Sequence, residues 1–234
     1  MSVDTVTGLL ERVAAAAAPD PEDLVALLGL RDPRDTRALY HAADAARAKY
    51  MGDGIFLRGI VELGSYCRNT CSYCGLHAGN TLLARYRMSA EEIVQSVRAI
   101  AAQGIRTVVL QSGEDDGLDP AWLAEVVREI KRQADMAVTL SVGERPRADY
   151  RLWREAGADR YLLKIESSDR ALYETLHVRR ALESRLRCVS DLFDLGYQVG
   201  SGVMVGLPGQ TLAHIAGDIL YFKKNDFDMI GIGP

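Results

Sequence analysis

The sequence predicts an α/β protein built as a parallel (β/α) barrel of the TIM type, and two features carry the prediction. Short strands rich in β-branched residues alternate with amphipathic helices from residue 55 onward. Polar or glycine-rich residues follow consecutive strands, at Gln111–Glu114, Ser141, Glu166 and Gly202–Gly206. A doubly wound sheet is the alternative, because both architectures place their sites at the carboxyl ends of strands. Contributions from so many consecutive strands favour the barrel.

Composition bounds the class of protein. The 234 residues are 48% hydrophobic and 26% charged, which suits a chain with a packed core and excludes a wholly disordered one. A formal net charge of -4 argues against binding nucleic acid by bulk electrostatics. The sequence contains no run of about 18 uncharged apolar residues, so no membrane-spanning helix is predicted. Asp4 and Glu11 stand where a secretory signal carries basic residues, so we expect a cytoplasmic protein.

The first 50 residues are predicted to form a helical arm. An alanine run followed by proline ends the first helix. Asp20 then caps a second helix, and Asp35 or Thr36 opens a third. Residues 1–50 are therefore expected to be the arm, and residues 51–234 the barrel.

Helix and turn signals delimit the elements of the barrel. Ser89-Ala90-Glu91-Glu92 is a capping box, and Asp119-Pro120 opens the following helix. Right-handed βαβ units then imply a parallel sheet. The six predicted strands are Ile55–Leu63, Thr107–Gln111, Ala137–Ser141, Arg160–Lys164, Gln198–Val203 and Met229–Ile232. The predicted helices begin at Ser89, after Pro120 and near Asp149, Ala171, Leu182 and Thr211.

Three of the four cysteines, Cys67, Cys71 and Cys74, fall within eight residues after the first strand. Three thiolates on one loop can ligate three irons of a 4Fe-4S cubane. The fourth iron then has no protein ligand, which leaves an open coordination position at the mouth of the barrel. That open position is where we expect chemistry.

Other interpretations of the cysteines stay open. His77 would complete a Cys3His zinc site, although structural zinc loops usually combine two separated ligand pairs. A disulfide would leave one cysteine unpaired and fits poorly with a cytoplasmic chain. Chance clustering is the third alternative. Cys188 lies in a predicted helix and is expected to be a small core residue.

The C-x3-C-x2-C spacing, with Tyr73 before the last cysteine, resembles the radical S-adenosylmethionine (SAM) superfamily. Further motifs resemble its biotin-synthase-like branch, and most closely the FeFe-hydrogenase maturases of the HydE type. The similarity runs from about residue 50 to the last residue. The matching motifs are Ile55–Glu62, Cys74–Leu76, Tyr86–Met88, Leu110–Asp115, Gly206–Thr211 and Asp226–Pro234.

The resemblance implies two cofactors, a 4Fe-4S cluster and SAM. In the family, the amino and carboxylate groups of SAM chelate the unique iron, and an electron from the cluster releases a 5′-deoxyadenosyl radical. An electron donor such as a flavodoxin or ferredoxin is implied as a partner, together with other hydrogenase maturation proteins. The implied role is in maturation of the FeFe-hydrogenase cluster, on an iron-bound cysteine-type substrate.

The resemblance implies that the three cysteines are the cluster ligands. It also implies that nine residues contact the cofactors. Tyr73 would lie near the adenine, and Ser112–Glu114 would receive the methionine amino group. Glu166 would accept from ribose hydroxyls, and Arg185 would pair with the carboxylate. Taken singly, each has a plainer account, such as a helix cap, a solvated charge or a core residue. The nine are Tyr73, Ser112, Gly113, Glu114, Ser141, Glu166, Arg185, Met204 and Ile232.

The substrate residues are Thr139, Arg160 and Lys164, of which the first two match the maturase pattern and could anchor an anion. Lys164 and Ile165 stand where that pattern has arginine and histidine. Lysine is a point charge without the planar fork of arginine, so the exchange is not neutral. A radical mutase acting on an amino acid, similar to methylornithine synthase, is therefore the alternative function. A zinc-binding scaffold is the non-enzyme alternative.

The chain ends at Gly233-Pro234, immediately after the sixth predicted strand. The resembling family continues for roughly another third of its length, through two strands that close the barrel. We therefore expect either a partial barrel of about six strands or a truncated, inactive product. An open last strand would expose an unpaired edge.

Overall fold

The structure, a computed structural model, describes residues 3–234. Within that range one sheet of six parallel strands runs in the order β1-β2-β3-β4-β5-β6. Every strand neighbours the next strand in sequence, as in a barrel, whereas a doubly wound sheet reverses its order at a switch point. The predicted partial (β/α) barrel is confirmed, and the doubly wound alternative is wrong. The strands are β1 (Gly59–Gly64), β2 (Thr107–Ser112), β3 (Ala137–Ser141), β4 (Arg160–Leu162), β5 (Gln198–Met204) and β6 (Met229–Gly233).

Nine helices occur in the same described residues, and six of them connect consecutive strands. None of these described helices is long and apolar enough to cross a membrane. The first three are α1 (Val3–Ala15), α2 (Pro21–Leu28) and α3 (Pro33–Met51). The connecting helices are α4 (Ala90–Ala102), α5 (Pro120–Gln133), α6 (Arg147–Ala156), α7 (Arg170–Leu176), α8 (Leu182–Asp194) and α9 (Leu212–Asn225).

Local capping explains where several helices begin. The Ser89 hydroxyl accepts from the Glu92 N–H while the Ser89 N–H donates to the Glu92 carboxylate, 2.7 Å away. The carboxylates of Asp20 and Asp119 accept from the backbone N–H groups two residues later, at 2.8 and 2.9 Å. These bonds satisfy donors that have no partner inside the helix. The predicted caps at Asp20 and Ser89 are confirmed, and the helix predicted after Asp119-Pro120 is present with Asp119 as its cap.

The third helix begins earlier than predicted. Its cap is Asp32, whose carboxylate accepts from the Arg34 N–H at 2.8 Å, and Pro33 occupies the first helical position. Proline suits that position because its missing N–H would have no intrahelical partner. The expected start at Asp35 or Thr36 is therefore wrong.

The first strand also begins later than predicted. Pairing with β2 starts where Gly59 lies opposite Val108. Residues 55–58 precede that pairing and form no strand, and the side chain of Ile55 is 88% exposed. An apolar run indicates burial only when a partner element covers it, and within the described residues none covers this segment. The other predicted strands agree with the structure within two residues at each end.

The two faces of the sheet differ in polarity. Val138 and Leu140 of β3 are fully buried against the helix layer. Thr139 and Ser141 alternate with them and point to the opposite face, because successive strand residues alternate. Packing of the apolar face against α5 and α6, including buried Trp153, forms the main core. The opposite face carries polar side chains beside a few apolar ones such as Val109, and its carboxyl edge is the place for a site.

The N-terminal helices pack on the outside of the barrel. α2 contacts α9, and α1 contacts both α2 and α3. The second half of α3 is exposed on all sides. The three predicted helices of the arm are thus present, while the division of the chain near residue 50 stays a prediction.

Candidate active site

A cavity of about 290 Å³ opens at the carboxyl ends of the strands, beneath the loop that carries the three cysteines. It brings together most of the predicted site residues from β2, β3, the segment after β4, and α8. A larger groove of about 510 Å³ between α4 and α5 contains none of them. The predicted residues that line the cavity are Cys67, Cys71, Tyr73, Cys74, Ser112, Gly113, Glu114, Ser141, Lys164, Glu166 and Arg185.

The cysteine loop approaches the end of β2 closely. A Cβ added to Gly113 would lie 2.6 Å from the Cys67 Cβ and would also collide with the Tyr66 carbonyl oxygen. The Arg68 N–H donates to the Glu114 carbonyl oxygen at 2.9 Å, which ties the loop to the same strand end. Gly113 is therefore required by packing, because any side chain there would displace the first cysteine.

The donor set of the cavity fits an iron–sulfur cluster better than one zinc ion. All three thiols are free and partly exposed. Ligands of one zinc lie within about 4 Å of each other, but among residues 3–234 no three His, Cys, Asp or Glu side chains could hold one metal ion. His77 does not line the cavity. A cubane with one open iron needs only three thiolate ligands, and the three cysteines that line the cavity supply them.

Crowding affects the thiols themselves. Burial and the neighbouring Cys67 thiol raise the pKa of Cys71. Two or three adjacent thiolates repel one another in a partly buried loop. The positive charge of bound iron would relieve that repulsion, since metal binding requires the deprotonated form.

Tyr73 is anchored on both sides of its hydroxyl group. The Oη atom lies 3.0 Å from His177 Nε2 and 3.3 Å from Glu166 Oε1. His177 Nδ1 lies 3.2 Å from the Tyr173 carbonyl oxygen, which can only accept, so we assign the proton to Nδ1. Nε2 is then an acceptor, as is Glu166 Oε1, so the two compete for the single hydrogen of the Tyr73 hydroxyl. Burial and the nearby Arg185 lower the pKa of His177 to about 4, which keeps the imidazole neutral.

Glu166 has a strained backbone that β5 holds in place. Its φ is 60°, in the left-handed region that residues with side chains rarely adopt. The Glu166 N–H donates to the Gly202 carbonyl and the Glu166 carbonyl accepts from the Met204 N–H, both at 2.9 Å. Burial raises the pKa of the Glu166 carboxyl group. Strain maintained by two backbone bonds is a feature of functional positions.

Glu114 is held by three other elements of the site. Its Oε1 accepts from Arg68, with Nε at 2.8 Å, and from Arg180. Its Oε2 accepts from the Glu144 N–H at 2.8 Å. Burial opposes the negative charge, but the Glu144 N–H, Arg180 and Arg68 outweigh it and lower the pKa of Glu114. Three partners thus compensate the buried charge, and a further bond from Glu114 to a ligand amino group stays a prediction.

Arg185 is buried and bound on two of its three nitrogens. Its Nε donates to Glu144 Oε1 at 2.7 Å, and its Nη1 donates to the Lys164 carbonyl at 3.0 Å. Ser184 also donates to Glu144, at 3.0 Å. The Glu144 carboxylate therefore holds the guanidinium in one orientation at the cavity wall.

Sequence reasoning missed four residues of this site: Arg68, Glu144, His177 and Arg180. The sequence offered a signal for Glu144, because this acidic residue follows Gly143 and lies three residues after the end of β3. His177 and Arg180 lie between α7 and α8, where the sequence carries no motif. Only packing brings His177 to the cavity wall and Arg180 to the Glu114 carboxylate.

Two predicted cofactor contacts, Met204 and Ile232, do not line the cavity. Ile232 pairs with Val203, whose side chain lies in the helix-side core, so Ile232 points to the same side and is 61% exposed. The predicted cofactor contact of Ile232 stays a prediction, and its side chain would not provide it from this side of the sheet. Met204 is half-buried on the opposite face, and its role stays a prediction.

The predicted substrate residues lie at two depths. Thr139 and Arg160 are register partners on β3 and β4, below the cavity, whereas Lys164 lines it. Arg160 donates to Gln198 and to Thr107, at 2.6 and 3.2 Å. The Thr139 hydroxyl is almost completely buried, and within the described residues it has no hydrogen-bond partner. An unpaired buried hydroxyl is unfavourable unless a ligand or water meets it.

The sequence profile of the Radical SAM superfamily matches residues 61–221, a range that contains the cysteine loop and the cavity. The chain belongs to the radical SAM superfamily. Members of this superfamily use a 4Fe-4S cluster and SAM, and three convergent free thiols fit that chemistry. The predicted family and cofactors are confirmed.

Within the superfamily, the chain is 47% identical over 213 residues to the FeFe hydrogenase maturase subunit HydE of Thermotoga maritima, covering 91% of this chain and 61% of that protein. A crystal structure of methylornithine synthase (PylB) superposes with a TM-score of 0.89 at 28% identity, covering 96% of this chain and 66% of the other. The biotin synthase of Desulforudis audaxviator is 29% identical over 86% of this chain and 62% of its own. The chain thus spans about two thirds or less of each.

The close approach at Gly113 can be tested by substitution. Gly113→Ala is expected to lower the iron content after anaerobic reconstitution several-fold, because the new Cβ displaces Cys67. Iron and sulfide per chain are the measurement. Gly75→Ala is the matched control, since a Cβ at Gly75 meets no atom within 4 Å. Equal iron content in both variants would contradict the packing role.

His177 predicts a dependence of stability on pH. His177 has a pKa of 6.5 in the unfolded chain and of about 4 in the folded one. Its contribution to the free energy of unfolding is therefore fully present above pH 6.5 and is lost as the pH falls towards 4. Between pH 7 and pH 5 the wild-type free energy of unfolding should fall by about 2 kcal/mol more than that of His177→Asn. Urea denaturation at each pH measures this. His41→Asn changes an exposed histidine of α3 and should show the same loss of unfolding free energy as the wild type. If all three proteins lose the same free energy between pH 7 and pH 5, His177 is not the cause of the pH dependence.

Proposed function

We propose that this chain forms the SAM-cleaving barrel of a radical enzyme that acts in maturation of the FeFe-hydrogenase active-site cluster. The observation that carries the proposal is the convergence of three free thiols with Glu166 and Arg185 on one cavity. The 47% identity to HydE supports the hydrogenase role. Thiolate ligands also favour a reducing compartment, so we place the activity in the cytoplasm.

The residues divide the binding of the two cofactors among them. Cys67, Cys71 and Cys74 would hold the 4Fe-4S cluster through three of its irons, which would leave the fourth iron open for SAM. When bound, the reduced cluster and SAM supply a 5′-deoxyadenosyl radical to the cavity. The Arg185 guanidinium, fixed by Glu144, presents its third nitrogen to the SAM carboxylate.

Two further residues orient the nucleoside. The Tyr73 ring, anchored by His177, offers its side to adenine at the edge of the cavity. The Glu166 carboxyl group projects into the cavity from a fixed backbone and accepts hydrogen bonds from ribose hydroxyls. Glu166 is buried and the Tyr73 hydroxyl is held by His177, so both groups can position the cofactor with little reorganisation.

The substrate of the proposed reaction is anionic. Lys164 at the cavity and Arg160 below it place two positive charges on the inner face, next to the unpaired hydroxyl of Thr139. A carboxylate-bearing substrate, such as the iron-bound cysteine type implied by the maturase resemblance, fits these charges. A flavodoxin or ferredoxin supplies the electron, and other maturation proteins receive the product.

A second function is favoured by the segment after β4. Lys164 and Ile165 replace the arginine and histidine of the maturase pattern, and the fold of methylornithine synthase superposes over 96% of the chain. A radical mutase acting on an amino acid would use the same residues to bind the cofactors but different residues to bind its substrate. The two functions therefore share a first test and need a second one to separate them.

The cofactor chemistry is tested by anaerobic reconstitution with iron and sulfide. The wild-type chain should turn brown, absorb near ~400 nm and release 5′-deoxyadenosine from SAM after reduction by dithionite. Cys71→Ala should lose cluster and cleavage, because a ligand is removed. Cys188→Ala is the matched control and should retain both, since Cys188 lies on α8 away from the cavity. A colourless wild-type protein with one zinc per chain would refute the proposal.

The two candidate substrates are separated by complementation. Extracts that mature FeFe hydrogenase but lack the HydE component should regain hydrogen evolution when the loaded chain is added, and Cys71→Ala should not restore it. Conversion of lysine to methylornithine by the same preparation, with no rescue of hydrogenase, would instead assign the mutase function.

A further inference from the structure

Residues 85–88 run antiparallel to the end of β1. The Ser65 N–H donates to the Tyr86 carbonyl at 3.0 Å, and the Met88 N–H donates to the Leu63 carbonyl at 2.7 Å. Gly64 and Arg87 form an antiparallel bridge between these two bonds. This pairing places Arg85 at the point where the cysteine loop leaves the sheet.

The Arg85 guanidinium donates to four backbone carbonyl groups. Nη1 donates to Ser65 and, at 2.9 Å, to Leu76. Nη2 donates to His77 at 2.8 Å and to Asn80 at 3.3 Å. Ser65 precedes the first cysteine, and the other three residues follow the last one. One side chain therefore joins both ends of the loop that carries Cys67, Cys71 and Cys74.

The loop has few other bonds between its two ends. The Ala78 N–H donates to the Asn69 carbonyl at 2.7 Å, whereas the bond from the Asn80 side chain to the Gly75 carbonyl lies within the segment that follows the last cysteine. Guanidinium is planar and carries five donors, so it can serve several carbonyls in one plane. A lysine ammonium is a single point with three donors and cannot reach all four. Loss of the donors would leave partly buried carbonyl groups unpaired.

We propose that Arg85 is a positioning residue that closes the cysteine loop in the metal-free protein, so that the three thiols converge before iron arrives. Arg85 does not line the cavity, and its recorded bonds are to backbone carbonyls outside the cysteines. Its action is therefore on the shape of the loop. The inference rests on the proposed function, because a preformed loop matters only if the loop receives a cluster.

The test compares wild type, Arg85→Met, Arg85→Lys and the matched control Arg128→Met. Arg128 pairs with Glu125 on the same exposed helix face, so its loss removes a guanidinium without touching the loop. Hydrogen–deuterium exchange is measured on metal-free, reduced protein for peptides that cover residues 65–84 and for the core strands β2 and β3. The rate of cluster incorporation at limiting iron is measured in parallel.

In Arg85→Met, exchange of the loop amides should accelerate about tenfold or more while exchange in β2 and β3 is unchanged. Cluster incorporation should slow by a similar factor. Arg85→Lys should fall between Arg85→Met and wild type, and Arg128→Met should match wild type. Restriction of the change to the loop, with partial rescue by lysine, distinguishes positioning from a general loss of stability.

Unchanged loop exchange in Arg85→Met overturns the inference, and so does equal acceleration of loop and core amides. If Arg85→Met does not fold, Arg85→Lys decides by the same loop-against-core comparison with wild type. Failure of the wild-type chain to take up a cluster would refute the proposed function alone, because the exchange measurement uses metal-free protein.

Discussion

The buried carboxylate of Glu114 is the interaction on which the site depends. It receives a guanidinium from the cysteine loop, a second one from the segment between α7 and α8, and a backbone N–H from the end of β3. A buried charge is tolerated only when its hydrogen-bonding capacity is filled, so all three elements are held at one point. Glu144 extends this network to Arg185.

The alternation of residues along each strand lets one sheet serve as both core and site. In β3, Val138 and Leu140 pack against the helices, and Thr139 and Ser141 face the barrel interior. The apolar face provides most of the burial that stabilises the fold. The inner face then carries polar groups that the core does not need, including an unpaired hydroxyl at Thr139. Stability and chemistry are thereby assigned to opposite sides of the same backbone.

The cysteine loop has little regular structure, and contacts with its surroundings hold it. Gly113 permits the close approach of Cys67, and Tyr73 is anchored to His177. The guanidinium of Arg85 joins the two ends of the loop. Local order of this kind is needed where three ligands must converge, because a flexible loop would lose conformational entropy on binding the cluster. The metal-binding geometry is thus a property of the surrounding scaffold as much as of the three cysteines.

Local signals let the sequence by itself determine the alternation of strands and helices, the caps at Asp20, Ser89 and Asp119, and the cysteine spacing. Each depends on residues within about one helical turn of each other. Tertiary structure alone decided that β1 begins at Gly59 and that Ile232 faces the helix side, because strand pairing sets both. It also brought His177 to the cavity, and Glu144 and Arg180 to the Glu114 carboxylate behind it. Their partners lie 30 to 104 residues away, and contacts at that separation leave no periodic pattern in the chain.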